Sequence, residues 1–258
     1  MKSTEQVEKQ NCGTDSAPET SSRTVIPALL SCNDESQDSI PTSLSDRDRM
    51  IKVISWNVNG LKSKLEDEDF ANFLKECDII GLQETWGNDD DDFSIDGFEV
   101  YTSNRIRSKR AIRNSGGIAL CVKEEIKEGV SRLPSKSKNI ILCVLGKDFF
   151  QWDMRLLIGT VYVSPAGSPL HDTEDIFQII EVELSQHLAK LEDCDYVLMG
   201  DFNARTGNLR DYIDEKEDDD RFIPLPTNYT SDTALPQRTS QDTYVNSFGY
   251  HLINLCRA

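Results

Sequence analysis

Four short apolar runs each end in polar residues that could bind a hard cation or hold a water. Asn57 and Asn59 follow IKVISW (51–56), and Glu84 follows IIGLQ (79–83). Tyr162 lies near the end of RLLIGTVYV (155–163), and Asp201 and Asn203 follow YVLMG (196–200). Carboxylate and amide oxygens are hard ligands suited to Mg2+ or Mn2+. Magnesium takes one or two carboxylates and keeps several waters, an economy that a single Glu84 with amide neighbours fits. A divalent ion polarises a phosphoryl oxygen and stabilises a leaving oxyanion, and the rest of phosphoryl transfer is positioning and charge stabilisation. Taken singly, each residue has a plainer explanation. An Asn after a strand is usually a turn residue, a lone Glu is usually on the surface, and a lone Tyr usually edges a core. The case rests on the ordered set.

The elements that must position this set are short strands punctuated by helices. Besides the four runs above, strands are expected at 97–101, 116–122 and 140–145. Helices are expected at 70–77, at 173–191 with Ile176, Ile179, Ile180, Leu184, Leu188 and Leu191 on one face, and at 245–256 with Phe248, Leu252 and Leu255 facing in. Several strands are apolar throughout, which predicts burial on both faces. The fold class expected is α/β, a layered sandwich of two β-sheets flanked by helices. In such folds, ligands favour the rim beyond the strand ends.

Residues 1–49 differ from the rest: they are rich in Ser, Thr, Glu, Asp and Gln, with VIPALL (25–30) the one apolar island. They are expected to form a disordered leader, followed by one domain over 50–258. The acidic runs at 88–92 and 211–220 read as solvated loops, lacking the regular ligand spacing of a calcium loop. The formal net charge of −17 argues against a non-specific grip on DNA, though a local basic patch can still steer a phosphate. None of the seven cysteines forms a CxxC pair, and Cys121 and Cys143 sit inside apolar runs, so reduced, buried thiols are expected. No apolar run is long enough for a membrane helix, and the N-terminus lacks a signal-peptide core. No membrane partner is expected, and an intracellular site, nucleus or cytoplasm, is. Asn228-Tyr229-Thr230 is accordingly read as a chance match to a glycosylation site.

S-W-N-V-N-G (55–60), L-Q-E-T (82–85), S-G-G-I-A-L (115–120), V-Y-V-S-P (161–165) and M-G-D-F-N-A (199–204) resemble, in order and spacing, the successive motifs of the endonuclease/exonuclease/phosphatase superfamily. D-F-N-A-R-T-G (201–207) and R-T-S-Q-D…V-N-S-F-G-Y-H-L-I-N-L-C (238–256) are most similar to the apurinic-type endonucleases of non-LTR retrotransposons and their domesticated relatives. The resemblance spans about residues 50–258 and implies a deoxyribonuclease-I-like sandwich with a magnesium-dependent, DNA endonuclease-like phosphodiesterase activity of retroelement origin. It implies Glu84 as principal metal ligand and Asn59 as a nearby metal or water contact. Asn57 would support the metal site, and Tyr162 would contact the scissile phosphate. Asp201 would orient or deprotonate the attacking water, and Asn203 would hold that water or a transition-state oxygen.

The resemblance also implies a late Asp and a terminal Ser-Asp-His, and the chain carries neither pattern around His171, His187 or His251. On that ground the domain is expected to be C-terminally truncated and impaired or inactive, with an exposed sheet edge that a partner could complete. Arg105, Arg107, Lys109, Arg110 and Arg113 precede S-G-G, and the resemblance places their loop near the substrate face, where phosphate steering would suit them; Lys62 and Lys64 invite the same reading. Two alternatives stay open. One is a phosphatase or phosphodiesterase acting on small phosphorylated or lipid substrates, which suits the acidic charge. The other is a non-catalytic scaffold or interaction protein.

Overall fold

The computed structural model describes residues 50–88, 93–105, 115–168, 175–211 and 239–257. The expected leader, its apolar island, most of both acidic runs, and His171 therefore lie outside the described residues. The strands form two four-stranded sheets. The first contains β1 (Val53–Asn57), β2 (Ile79–Gln83), β3 (Phe98–Ser103) and β4 (Ile118–Lys123) in the order β1-β2-β4-β3. The second contains β5 (Val130–Leu133), β6 (Ile140–Leu145), β7 (Arg155–Tyr162) and β8 (Cys194–Asp201) in sequence order. Five helices accompany them among the described residues: α1 (Leu61–Lys64), α2 (Glu68–Lys75), α3 (Lys147–Phe150), α4 (Ile176–Leu188) and α5 (Ser247–Arg257).

The two-residue period of a strand sorts the apolar side chains into three layers. Ile79 of β2 and Ile118, Leu120 and Val122 of β4 meet Ile141, Cys143 and Leu145 of β6 and Ile158 of β7 between the sheets. The alternate residues face outward: Ile80, Leu82, Ala119 and Cys121 pack against Leu61, Phe70 and Leu74 of α1 and α2. On the opposite side, Ile140, Leu142, Leu157 and Val161 pack against Ile176, Phe177, Ile180 and Leu184 of α4 and Phe248 of α5. The helix–sheet–sheet–helix layering agrees with the expected α/β sandwich. Each fully buried Leu or Ile contributes roughly 1.5–3 kcal/mol by leaving water.

Each sheet holds one parallel pair, β1 with β2 and β7 with β8, and its other pairings are antiparallel. Parallel neighbours need a crossover, here made by α1–α2 and by α4. Asp67 starts α2 by accepting from the amides of Asp69 (3.0 Å) and Phe70 (3.4 Å), and Asp175 starts α4 by accepting from Phe177 (3.0 Å) and Gln178 (3.5 Å). These caps explain why the helices begin at Glu68 and Ile176 and not at the bounds read from apolar spacing.

One expectation is corrected. YVLMG was expected to be a buried strand, but no residue of β8 is buried and Tyr196 is 45% exposed. Among the described residues, β8 pairs with β7 alone, so it forms a sheet edge with one side uncovered. The strand β5 and the one-turn helices α1 and α3 had no sequence counterpart, being too short for a periodic signal.

Cys121 and Cys143 are fully buried in different layers, and burial pushes both thiols up to about 12 from an ordinary 9.0. Above about pH 9 the unfolded chain releases these protons and the folded chain retains them. Stability is therefore complete below that pH and declines as pH rises toward 12, by up to ~1.4 kcal/mol per pH unit for each thiol. The urea unfolding midpoint should be lower at about pH 10 than at about pH 8. Iodoacetamide should label exposed Cys256 in the folded protein and reach Cys121 and Cys143 only on unfolding.

Candidate active site

The two parallel pairs end on the same rim. Asn57 lies opposite Gln83 at the ends of β1 and β2, and Tyr162 lies opposite Asp201 at the ends of β7 and β8. Just beyond β2, Glu84 takes left-handed backbone angles (φ 56°). Its carboxylate accepts hydrogen bonds from the Tyr162 hydroxyl, from Trp86 Nε1 (2.7 Å) and from the Gly116 amide (2.8 Å). The backbone binds the same segments together: Gly60 N donates to Glu84 O (2.8 Å), and Trp86 N donates to Gly116 O (3.0 Å). The N-V-N-G turn, the E-T-W turn and the S-G-G segment thus close around one carboxylate.

A second cluster adjoins it. Asp201 Oδ2 accepts from Asn57 Nδ2 (2.9 Å), joining the first sheet to the second across 144 positions of sequence. Asp201 Oδ1 accepts from the Asn203 amide (2.9 Å), and Asn203 Nδ2 donates to Val163 O (2.7 Å). Asn57 Oδ1 accepts from the Asn59 amide (3.2 Å). Asp201 reaches this position because Gly200 precedes it. At φ 146°, a Cβ on Gly200 would lie 1.9 Å from Val161 O, so no side chain fits where β8 turns against β7. A cleft of about 520 Å3 opens beside Asp201 and Asn203, with Pro165, Phe202, Arg205 and Leu252 among its walls.

Left-handed backbone is costly for residues with a Cβ and collects at functional sites. Among the described residues, six non-glycines adopt it, and four of them (Asn59, Glu84, Trp86 and Asn203) lie in these clusters. Asn tolerates the conformation, but Glu and Trp do not favour it. Here the hydrogen bonds to the Glu84 carboxylate hold both in place.

Tyr162 is 3% exposed. Burial, above all, raises its phenol pKa well above the ordinary tyrosine value. The bond to Glu84 and the charges of Glu84 and Asp201 add to the rise, while Arg105 opposes it. The phenol is therefore a neutral hydrogen-bond donor across the physiological range. Arg105, read from the sequence as a phosphate-steering group, has its guanidinium 5.6 Å from the centre of the Tyr162 ring. It also donates to Ser164 Oγ (2.8 Å) and to Asn139 Oδ1, two side chains that are themselves buried. It is thus docked beside Tyr162. Arg107, Lys109, Arg110 and Arg113 lie outside the described residues. Lys62 and Lys64 are exposed on α1. His187 Nε2 lies 2.9 Å from Pro134 O, and His251 lies 3.6 Å from an Asp175 oxygen, so both are engaged outside the two clusters.

The structure thus brings together Asn57, Asn59, Glu84, Tyr162, Asp201 and Asn203. It adds residues that no sequence argument had singled out: Trp86, Asn139, Ser164, Asn246 and the buried Gln83. Gln83 carried a signal, since a polar residue inside an apolar strand must be hydrogen-bonded. Ser164 and Asn246 stood inside the V-Y-V-S-P and V-N-S-F-G runs without roles of their own, and Trp86 and Asn139 gave no signal.

The donor set suits a hard divalent ion. Among the described residues no three His, Cys, Asp or Glu side chains gather as a metal cage. The oxygens present are one clamped carboxylate, one less crowded carboxylate and amide groups. An ionised carboxylate offers about four lone-pair directions. Glu84 retains one and Asp201 two after the bonds above. That arrangement fits an ion that keeps most of its waters, and Glu84 is a carboxylate that could hold it.

Comparison with known proteins bears on this rim. A model of the Endonuclease/Exonuclease/phosphatase family matches residues 54–244, a span that includes every strand-end residue of the two clusters. An exodeoxyribonuclease of Bacillus subtilis (strain 168) is 37% identical over 78 residues, 29% of each chain. A putative vacuolar protein sorting-associated protein 60 of Plasmodium falciparum (isolate 3D7) is 24% identical over 234 residues, 82% of this chain and 92% of that one. The Xenopus laevis APE2 catalytic domain superposes with a TM-score of 0.45 at 18% identity, covering 63% of this chain and 61% of that domain. The chain therefore spans less than two thirds of the exodeoxyribonuclease and of the Xenopus domain. Proteins of the matched family generally depend on a divalent metal and act as nucleases or phosphodiesterases. Because the family match extends over most of the sequence, the chain belongs to the Endonuclease/Exonuclease/phosphatase family.

Proposed function

We propose that this domain is a divalent-metal-dependent phosphodiesterase that hydrolyses DNA, with magnesium or manganese as the ion. The observation that carries the reading is the Asn57–Asp201 hydrogen bond. It joins the rim of one sheet to that of the other, so that Glu84, Tyr162, Asp201 and Asn203 form one site. When bound, the ion would supply charge stabilisation to a phosphoryl oxygen. The protein groups do the positioning. Asp201, fixed at Oδ1 by the Asn203 amide and at Oδ2 by Asn57, has lone pairs left to accept from an attacking water. Asn203 is held by Val163 O in a conformation that keeps it beside that carboxylate. Tyr162 gives its single phenolic proton to Glu84 and fixes that carboxylate; a phosphate oxygen would receive the proton only in exchange for that bond.

DNA is favoured over other phosphodiesters by the D-F-N-A-R-T-G run and the later V-N-S-F-G segment, which resemble retroelement endonucleases and support an origin of that kind. A second reading, hydrolysis of small phosphorylated substrates, is favoured by the net charge of −17, which repels a polyanion more than a monoester.

Purified protein incubated with supercoiled plasmid should nick it in Mg2+ or Mn2+ and stop when EDTA is added. Glu84→Gln presents an amide to the Trp86 and Gly116 donors, and it should lower the nicking rate by ~100-fold or more. Phosphate release from inositol phosphates with the plasmid left intact would instead establish the second reading. No turnover on either substrate would sink the catalytic proposal.

Tyr162→Phe should slow nicking by roughly 10- to 100-fold and, by removing a buried hydrogen bond to a carboxylate, lower the unfolding free energy by roughly 1–3 kcal/mol. Because the Tyr162 pKa is raised, absorbance titration of the metal-free protein up to about pH 10 should give wild type and Tyr162→Phe the same phenolate signal. One more phenol ionising in the wild type near the ordinary tyrosine pKa would refute its assigned state.

A further inference from the structure

We infer that Asn246 is a positioning residue for the Asp201–Asn203 turn. The inference rests on the reading of Asp201 and Asn203 as water-orienting groups. Asn246 lies outside the span matched by the family model, at the residue before α5. Its side-chain amide is used at both ends. Nδ2 donates to Asn203 O (2.9 Å), while Oδ1 accepts from Arg205 N (2.9 Å) and from Gly249 N (2.8 Å). Its own backbone amide donates to Arg205 O (3.1 Å), and Thr206 and Val245 form a bridge alongside.

One of these bonds is an ordinary helix cap: Gly249 is the third residue of α5, the usual partner of a capping side chain. The other side-chain bonds hold the backbone on both sides of Ala204. They act directly on Asn203, whose left-handed conformation (φ 46°) aims its amide at Asp201 Oδ1. The approach is close: a Cβ on Gly249 would lie 2.0 Å from Arg205 O, so the first turn of α5 presses on the loop backbone itself. Phe248 anchors that turn, buried with its ring 5.8 Å from that of Phe177 on α4. Asn246 therefore transmits the seating of α5 into the geometry of the Asp201 carboxylate.

Two substitutions separate this role from capping. Asn246→Ser retains a capping oxygen but is too short to reach Asn203 O. Asn246→Asp caps as well as Asn does, yet turns a carboxylate oxygen toward Asn203 O, where two acceptors repel. If Asn246 only caps the helix, Asp should match wild type in every measurement. If it positions the turn, Asp should be the worse variant at the site although it is the equal or better one for stability.

The expected results are thermal midpoints within a few degrees of wild type for both variants. For plasmid nicking in Mg2+, kcat should fall about tenfold in Asn246→Ser and further in Asn246→Asp, with KM within about twofold. Hydrogen exchange at the Asn203 amide should accelerate about tenfold in both variants but not in Tyr250→Ser, a change at an exposed position of the same helix. Wild-type exchange at Asn203 in both variants would overturn the inference, as would a loss confined to the midpoint or to KM. If the wild-type protein nicks no DNA, the proposed function fails and the exchange measurement alone decides the role of Asn246.

Discussion

The buried amide of Gln83 determines where the two sheets meet. Its Nε2 donates to Thr160 Oγ1 of the opposite sheet (2.9 Å) and to Ser55 Oγ of the neighbouring strand (3.1 Å), and the residue is 1% exposed. In an apolar interlayer, leaving such a group unpaired costs roughly 1–3 kcal/mol, so one seating of the sheets is favoured over its neighbours. Gly81 sharpens this choice. A Cβ there would lie 2.5 Å from Thr160 Oγ1, so only a glycine lets Thr160 reach in. A displacement of one residue along either strand would exchange the inward and outward faces and lose both features. With that seating fixed, the residue after Gln83 and the residue two beyond Thr160 on the same face are Glu84 and Tyr162, and these touch.

The rest of the rim follows from where the parallel pairs end. A parallel pair has both carboxyl ends on one side, and the sandwich places the ends of β1–β2 against those of β7–β8. Chain leaving four strands at one place must turn sharply, and the left-handed residues and Gly200 make those turns. Strain of about 1–2 kcal/mol at each such residue is held by hydrogen bonds that converge on two carboxylates, Glu84 and Asp201. Turn geometry and site geometry are therefore the same set of bonds, and a change made for one disturbs the other.

How much of this was legible in the sequence depended on distance along the chain. The central strands were plain, because runs such as IIGLQ and IILCVL are buried on both faces, and their bounds agree with the observed ones. β8 misled because an apolar run reads alike at a sheet edge and in its middle; what differs is whether a neighbour is present, which the run itself does not encode. The six strand-end residues were legible as a set because each lies at or just beyond the end of an apolar run. Trp86, Asn139, Ser164 and Asn246 were not, since each acts through a partner far away in sequence or through its own backbone setting. Arg105 was found for its charge. Its contacts with Ser164, Asn139 and Tyr162 were visible only once β3, β6 and β7 had been brought together.

A strongly acidic chain poses a problem for phosphate chemistry, and the two carboxylates meet it differently. Glu84 receives three donors from three separate segments, which spread its charge and fix its position. Asp201 receives two, both from the Asn57 and Asn203 side of the rim, and stays less crowded. A carboxylate clamped on most sides suits a fixed ligand that must not move as an ion sheds and regains waters. One with open lone pairs suits the handling of a water that must be accepted, turned and released. Arg105 lies over the Tyr162 ring, where its charge opposes the effect of Glu84 and Asp201 on the phenol. Neutral amides and a neutral phenol supply the remaining donors. Under the proposed function, an anionic substrate would meet a bound ion at this rim before it met the charge of the whole chain, which salt screens beyond about 10 Å.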